Sequence, residues 1–434
     1  MRSLERSWVL FLMWLASLIA TLAVGGPLFF SLTYLLTGIL LLSFVWAWLN
    51  VHWIRLNRSI RARHVQVGDS IEERLQVINN SWLPKLWLEL TDQSDLPGHR
   101  PGRVISGLGS KQQKSWHIRT PCYQRGRFNL GPIALTSGDP FGLFQFTKSL
   151  PQFVSNLVVY PLTVDLPAFY PPVGEQTGGE AVHRRTHYVT TNVAGIRDYV
   201  FGDSFNRIHW PSSARNDRLM VKEFELDPMA DVWIFLDMAQ NIQAGLSYKN
   251  IPPPVLPQVH WEKLPDFKLP PSTEEYEISI AASVSKHFLN LNRAVGLITY
   301  ANADHREIAQ SDRGERQLSR IYEMLAVTQA HGSIPLAEVL AAETLRFSRN
   351  ITLIIVTAST TPDWVGVAHH LAGRGVRVTA IIVDPHSFDH NFDSSVDVEI
   401  ELTASHIPHY VVREGDKLDQ ALANTRTQKK FQPA

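Results

Sequence analysis

The sequence has little sulfur, no excess of charge and a long stretch without charged side chains. Cys122 is the only cysteine among 434 residues, which excludes an internal disulfide and is typical of a reducing compartment. We expect it to be a buried strand residue rather than a nucleophile. Lysine and arginine number 41, as do aspartate and glutamate, so global charge does not favour a nucleic-acid partner. With 44% hydrophobic residues, the chain has enough apolar material for about two or three domains.

Charged residues are missing from 7–51, and Gly25-Gly26-Pro27 divides this stretch into two apolar segments. About 20 apolar residues cross the ~30 Å hydrocarbon of a bilayer, so the pattern predicts two transmembrane helices, at 8–24 and 28–49, in a hairpin over 1–55. Arginines flank the hairpin on its outer sides, which predicts the plasma membrane with both termini cytoplasmic. A cleaved signal peptide is the alternative, and the second apolar segment argues against it.

Residues 60–160 carry short segments of β character, which predict a small all-β sandwich. The predicted strands at 71–78, 87–91, 114–118 and 157–160 are separated by turn signals such as Asn79-Asn80 and Pro97-Gly98. Strands at this spacing are typical of a sandwich. Residues 161–194 are rich in proline and glycine and are interpreted as a linker.

From residue 231 to about 415 apolar strands alternate with amphipathic helices. Strands are predicted at 232–237, 294–300, 351–357 and 376–384, with a last one at 397–402 or 409–413. The alternation predicts an α/β domain with a doubly wound parallel sheet that binds ligands at the carboxyl ends of its strands. An insertion at 243–272 has seven prolines and serves as a spacer or as a peptide ligand for a partner. A polar tail is expected at 416–434.

The segment 195–230 is a dense polar junction between the two predicted domains. Five basic and five acidic residues lie between Gly195 and Glu225, a balance that makes a poor footprint for phosphate backbones. Asp203 is expected to cap a short helix at 204–210 and to pair with Arg207. The candidate partner-binding residues of this segment are Arg197, Asp203, Arg207, His209, Trp210 and Arg215.

Two motifs resemble the bacterial family named domain of unknown function 58. The first runs from Arg197 to Arg215 as R-x-Y-x-x-G-D-x-x-x-R-I-H-W-x-x-S-A-R, and the second includes D-P-F-G-L-F from Asp139 to Phe144. The resemblance implies a membrane hairpin, a β domain and a C-terminal von Willebrand factor type A-like domain. It also implies a protein partner, a MoxR-type AAA+ ATPase, because members of the family commonly occur beside such enzymes.

Domains of the von Willebrand factor A type often bind a divalent cation through oxygen ligands from three loops. In this chain the first loop offers only Asp237 and Asn241, the second offers Ser333 beside the expected position, and Ala358 replaces the aspartate of the third. One carboxylate does not complete a cage for Mg²⁺ or Mn²⁺. We therefore expect no metal and no other cofactor, and we keep a metal-dependent ligand-binding module as an alternative function.

The sequence favours a membrane-anchored cytoplasmic scaffold or adaptor without catalytic residues. The second alternative is an enzyme in which His209 acts as a general base, oriented by Asp203 or Asp198. Nearby serines lack the context of a nucleophile elbow, which argues against that alternative.

Overall fold

A computed structural model describes residues 2–171, 193–200, 205, 208–224, 231–246, 268–302, 305–349 and 351–423. Most of the predicted linker and most of the Pro-rich insertion lie outside these residues. The chain divides into two compact units, Met1–Leu162 with Ile251–Lys268, and Thr163–Asn250 with Leu269–Ala434.

The first unit begins with two helices, α1 (Arg2–Val24) and α2 (Pro27–Val51), joined where Gly25 adopts a positive φ of 67°. Among the described helices, α2 is the one long and apolar enough to cross a membrane. The apolar part of α1, Trp8–Val24, is shorter. The structure therefore gives one candidate span where the sequence predicted two.

Ten strands follow in the first unit. They are β1 (Ile54–Ile60), β2 (His64–Gln66), β3 (Ser70–Asn79), β4 (Lys85–Asp92), β5 (Arg103–Leu108), β6 (Gln113–Pro121), β7 (Gly126–Leu130), β8 (Ile133–Gly138), β9 (Gln145–Leu150) and β10 (Ser155–Tyr160). They form three sheets, β1-β3-β6, β5-β4-β8-β9 and β2-β10-β7. The first two are antiparallel and share one apolar core, in which Leu75 and Leu90 are fully buried.

The carboxyl end of α2 is bonded to the β5-β4-β8-β9 sheet. Lys85 Nζ donates to the Leu49 carbonyl oxygen at 2.6 Å, and Asn50 Nδ2 donates to the Gly138 carbonyl oxygen at 2.8 Å. The last carbonyl groups of a helix have no partner within it, and a lysine there also faces the negative end of the helix dipole. These two bonds fix the end of α2 to the first residue of β4 and to the last residue of β8.

A buried ionic cluster joins the two sheets of this core. Arg58 Nε lies 2.8 Å from Glu73 Oε1, and its NH2 lies 3.0 Å from Asp92 Oδ2. His99 Nε2 lies 3.4 Å from Glu73 Oε2, and its Nδ1 lies 2.9 Å from the Thr120 hydroxyl. Burial raises the pKa of Glu73, and the neighbouring Arg58 opposes this. Arg58 is thus the cation that balances two buried carboxylates.

The second unit contains a strand pair and an α/β part. The strand pair is β11 (Val193–Asp198) and β12 (Met220–Phe224), with α3 (Trp210–Asn216) between them. The α/β part consists of β13 (Val232–Leu236), α4 (Thr273–Asn290), β14 (Val295–Asn302), β15 (His305–Asp312), α5 (Glu315–Val327), α6 (Leu336–Glu343), β16 (Thr352–Thr357), α7 (Asp363–Gly373), β17 (Arg377–Val383), α8 (Val396–Ala404), β18 (His409–Val412) and α9 (Leu418–Ala421).

The six-stranded sheet of the α/β part has the order β15-β14-β13-β16-β17-β18. Its strands are parallel except β15, which is antiparallel to β14. The prediction of a wholly parallel sheet was therefore wrong at one edge, strand β15. Of the two positions predicted for the last strand, 409–413 contains β18, whereas 397–402 lies within α8. All residues of β13 and β16 are buried, as expected for central strands with both faces covered.

Candidate functional site

Three loops meet at the carboxyl end of β13. Asp237 follows β13 directly, and Thr357 ends the neighbouring strand β16. The loop after Asp237 lies beside a third loop, because Gly332 N donates to the Met238 carbonyl at 3.0 Å and the Gly332 carbonyl accepts from Gln240 N at 2.8 Å. A Cβ at Gly332 would clash with two backbone carbonyl oxygens, so this close approach requires glycine. The three loops predicted to carry a metal site are therefore neighbours.

Asp237 is enclosed by protein donors. Thr357 Oγ1 donates to its Oδ2 at 2.7 Å, and Ala239 N donates to its Oδ1 at 3.2 Å. Burial raises the pKa of Asp237 to about 6, although the two hydrogen bonds oppose this rise. Each carboxylate oxygen thus already accepts a hydrogen bond from the protein.

Glu277 on α4 is a second buried acid near Asp237, and the sequence analysis missed it. Gln243 Nε2 donates to Glu277 Oε2 at 2.8 Å. Burial first, and then the charge of Asp237, raise the pKa of Glu277 well above its usual range. Helix periodicity did not identify it, because α4 is buried around most of its circumference rather than on one face. The only local signal was the acidic start of the helix, which also contains Glu274 and Glu275.

A pocket of about 280 Å³ opens beside these acids. Its walls come from the loop after β13, from the start of α4 and from the segment before Gly332. They consist of Gln240, Gln243, Ala244, Gly245, Leu246, Ser272, Glu274, Gln329, Ala330 and His331. Its polar lining combines glutamine amides, the His331 imidazole, the Ser272 hydroxyl and the Glu274 carboxylate, which together can donate and accept hydrogen bonds.

The predicted metal ligands do not fit a divalent cation. Both oxygens of Asp237 accept hydrogen bonds, Asn241 and Ser333 are exposed, and Ala358 offers no side-chain oxygen. Within the described ranges, no group of three or more His, Cys, Asp or Glu side chains is placed to hold a metal ion. Mg²⁺ prefers several oxygen ligands in octahedral geometry. The arrangement differs in this respect from the cation site that the resemblance implies.

The polar junction at 195–230, called the signature segment from here on because it carries the first family motif, has the order strand, helix, strand in its described residues. His209 N donates to the Met220 carbonyl at 2.8 Å, and the Ser213 hydroxyl accepts from Met220 N at 2.9 Å while donating to the His209 carbonyl at 3.0 Å. These bonds fasten the start of α3 to β12. The helix begins at Trp210, whereas the sequence predicted a helix at 204–210. Residues 204, 206 and 207 of that predicted range lie outside the described residues.

None of the pairs proposed for this segment is found among the described residues. His209 Nδ1 lies 2.8 Å from the hydroxyl of Ser212, a contact within the first turn of α3. Asp198, expected to orient His209 in the catalytic alternative, lies 3.0 Å from Arg218 NH1. Asp203 and Arg207, and therefore their predicted ion pair, lie outside the described residues. No part of this geometry favours His209 as a general base.

Three large apolar side chains of the signature segment are exposed. Phe205 is 70% exposed, Trp210 65% and Val200 62%. Arg197 and Arg215 are exposed beside them in sequence, and Arg197 NH1 donates to the Asp198 carbonyl at 3.0 Å. The sequence analysis named Trp210 and both arginines, but it missed Phe205 and Val200, because exposure of an apolar residue cannot be read from its identity.

The family described as "Protein of unknown function DUF58" matches residues 195–250, which include the signature segment, β13 and Asp237. The chain is similar to "Uncharacterized protein YeaD" of Bacillus subtilis (strain 168), with 22% identity over 265 residues. That match covers 59% of this chain and 56% of the relative, so the chain spans little more than half of the relative's length.

Matches to solved structures are weak. The Pseudomonas fluorescens alkylpurine DNA glycosylase AlkC, bound to DNA containing an abasic site analog, has a TM-score of 0.18 and 14% identity, over 32% of this chain and 42% of that one. A CARDB domain from Pyrococcus furiosus also has a TM-score of 0.18, with 15% identity, over 25% of this chain and 90% of that one. Neither carries an argument about this fold. The family match over residues 195–250 and the Bacillus relative support the resemblance to the DUF58 family.

Proposed function

We propose that the protein is a membrane-anchored cytoplasmic adaptor that binds a protein partner through its second unit. The observation that carries this proposal is the exposure of two large aromatic side chains in the signature segment, Phe205 and Trp210, both more than half exposed. Tryptophan and arginine are enriched at the energetic centres of protein interfaces. The segment lies within the region that matches the family.

The membrane anchor in this proposal is the hairpin of α1 and α2, with both termini cytoplasmic. Trp14 Nε1 donates to Thr37 Oγ1 at 2.8 Å, and the hydroxyls of Ser17 and Thr33 lie 2.8 Å apart. Hydrogen bonds between polar side chains join helices within lipid, where such groups have no water to bind. Arg2 and Arg6, in the first turns of α1, and the arginines that follow α2 favour this orientation.

The α/β part is proposed to be a von Willebrand factor A-like module, and the two sheets with a shared core a β-sandwich. Numbered in chain order, the strands of the six-stranded sheet have the order 3-2-1-4-5-6, which is that of doubly wound folds. Such sheets bind ligands beyond the carboxyl ends of their strands. The pocket beside Asp237 is located there and is proposed to accept part of the partner.

The proposed partner is a MoxR-type AAA+ ATPase, which the family resemblance implies. A suitable experiment is a pull-down in detergent: tagged full-length protein is immobilised, and the amount of purified ATPase that it recovers is measured. Loss of a central tryptophan costs about 2 kcal/mol or more, so Trp210→Ala should lower the affinity by roughly 30-fold. Trp82→Ala is the matched control, because Trp82 is 74% exposed in the first unit.

Three results decide the proposal. Recovery by the wild type and by Trp82→Ala, with loss in Trp210→Ala, supports it. Equal recovery by all three proteins would show that the interface lies outside the signature segment. If the wild type recovers no ATPase, although a positive control with another ATPase and its partner succeeds under the same conditions, the choice of partner is contradicted.

A further inference from the structure

The turn between β8 and β9 packs against α2. The Phe44 ring of the helix contacts the rings of Phe144 and Phe146 edge to face, with centroids 5.7 and 5.5 Å apart. One end of the same turn is held by the bond from Asn50 to the Gly138 carbonyl. The second family motif, D-P-F-G-L-F, is this turn, and the adaptor function does not use it.

The turn is held by internal hydrogen bonds and leaves one aromatic ring exposed to solvent. The Asp139 carboxylate is buried and accepts from Phe141 N at 2.9 Å and from Phe144 N at 2.7 Å. A carboxylate that bonds to following backbone N–H groups closes a turn of this kind. Phe141 is nevertheless 58% exposed, between Pro140 and a glycine with positive φ. The turn therefore presents Phe141 on a fixed backbone.

The register of α1 and α2 indicates the depth of the β8–β9 turn relative to the membrane. Trp14 bonds to Thr37, and the helices run antiparallel. Phe44 lies seven residues after Thr37, and Ser7 lies seven residues before Trp14, so Phe44 is level with Ser7. Ser7 stands between Arg6 and Trp8 in the sequence. A charged residue next to a tryptophan marks the end of a segment that lies in hydrocarbon.

The length of α2 leads to the same depth. From Pro27 to Phe44 the helix rises about 26 Å at ~1.5 Å per residue. The hydrocarbon of a bilayer is about 30 Å thick. A helix that starts at one boundary at Pro27 therefore reaches the other boundary about three residues after Phe44. Phe144 and Phe146, which contact Phe44, thus lie within about 5 Å of that boundary.

We propose that the β8–β9 turn is a second membrane contact of this protein, with Phe141 inserted at the border between lipid headgroups and acyl chains. The inference rests on the proposed membrane anchoring by α2. The occupant of this surface is lipid, because the turn is continuous with the helix that enters the bilayer and lies level with its end. The apolar faces of amphipathic helices that lie on a membrane enter about 5–10 Å into the border between headgroups and acyl chains. The surface would orient the β sheets against the membrane.

The test uses full-length protein in phosphatidylcholine–phosphatidylglycerol vesicles with single probes. Phe141→Cys is labelled with bimane, and quenching by lipids spin-labelled at a shallow or a deep position is measured. Native Cys122 is buried, and burial raises the pKa of its thiol to about 11, so it contributes little background. Tyr34→Cys within α2 reports the anchor, and Ser115→Cys, exposed on β6, reports the aqueous side.

We expect the probe at 141 to emit at shorter wavelength than the probe at 115, and to be quenched more by the shallow than by the deep spin label. If the probe at 34 is in lipid while the probe at 141 matches the probe at 115, the inference is overturned and the anchor stands. If the probes at 34 and 141 are both in water, both proposals fail. Benzoyl-phenylalanine at position 141 keeps an aromatic ring there and should form adducts with lipid. Adducts with a protein alone would overturn the inference.

Discussion

The hydroxyl of Thr357 donates a 2.7 Å hydrogen bond to Asp237, and this bond joins the carboxyl ends of two adjacent parallel strands. Burial nevertheless keeps the pKa of Asp237 near 6, above its usual value of 3.8. For an acid whose pKa is raised by folding, the native state holds the proton more tightly than the unfolded chain. Ionisation then costs stability: the cost is absent below pH 3.8, grows up to about pH 6 and is constant above.

Asp237→Asn should remove this cost. The melting temperature of the variant, relative to the wild type, should rise between about pH 4 and pH 6 and then level off. The full rise corresponds to about 3 kcal/mol of stability, because the pKa of Asp237 is raised from 3.8 to about 6. Thermal melts of the detergent-solubilised protein across pH measure this difference. Asp393→Asn, at an exposed position, should show no such trend. A flat difference for Asp237→Asn would contradict the raised pKa.

Divalent cations should leave the melting temperature unchanged. Both oxygens of Asp237 accept protein hydrogen bonds, and a cation that binds only the native state would raise the melting temperature. We expect equal melting temperatures for the wild type in millimolar Mg²⁺, in Mn²⁺ and in chelator. A rise in the wild type that disappears in Asp237→Ala would show a metal site.

Arg58→Met should destabilise the first unit strongly. The change leaves Glu73 and Asp92 buried without their cation, and breaking a buried ion pair in this way costs about 3–5 kcal/mol. Arg61→Met is the matched control, because Arg61 pairs with Glu72 at the surface, where a salt bridge contributes about 0–1 kcal/mol. Proteolysis of the two variants in detergent compares their stability. Equal resistance would mean that the buried cluster does not need its arginine.

Cys122 should resist alkylation in the native protein. Its thiol is buried and its pKa is raised to about 11, so at neutral pH almost none is present as the reactive thiolate. Mass spectrometry after brief treatment with iodoacetamide should find unmodified protein, and the same treatment in guanidinium should give complete modification. Rapid modification of the folded protein would contradict this burial. The structure confirms that Cys122 is buried, but places it just after β6 rather than within a strand.

Apolar periodicity predicted the elements whose side chains fill the core. β13 reads V-W-I-F-L, is buried throughout and lies within the strand predicted at 232–237. The antiparallel edge strand β15 was missed, because H-R-E-I-A-Q-S-D is polar and has no apolar alternation. Its pairing with β14 depends on backbone hydrogen bonds that composition does not report.

The sites depend on contacts between distant parts of the chain. Asp237 was identified from its place after a strand, but its bond to Thr357 spans 120 residues. The carboxylates of Glu73 and Asp92 meet Arg58 only because β1, β3 and β4 contribute to one core. A single sequence does not report such pairings. For the same reason, the raised pKa of Glu277 could not be predicted from a glutamate near the start of a helix.

The two bonds at the end of α2 have a mechanical consequence. The hydrogen bonds of Lys85 and Asn50 hold the helix to two strands of one sheet, so we expect the helix and that sheet to move as one rigid body. A membrane helix tilts when the hydrocarbon around it becomes thinner. Such a tilt of α2 would swing the β5-β4-β8-β9 sheet through the same angle, and the protein would convert bilayer thickness into domain orientation.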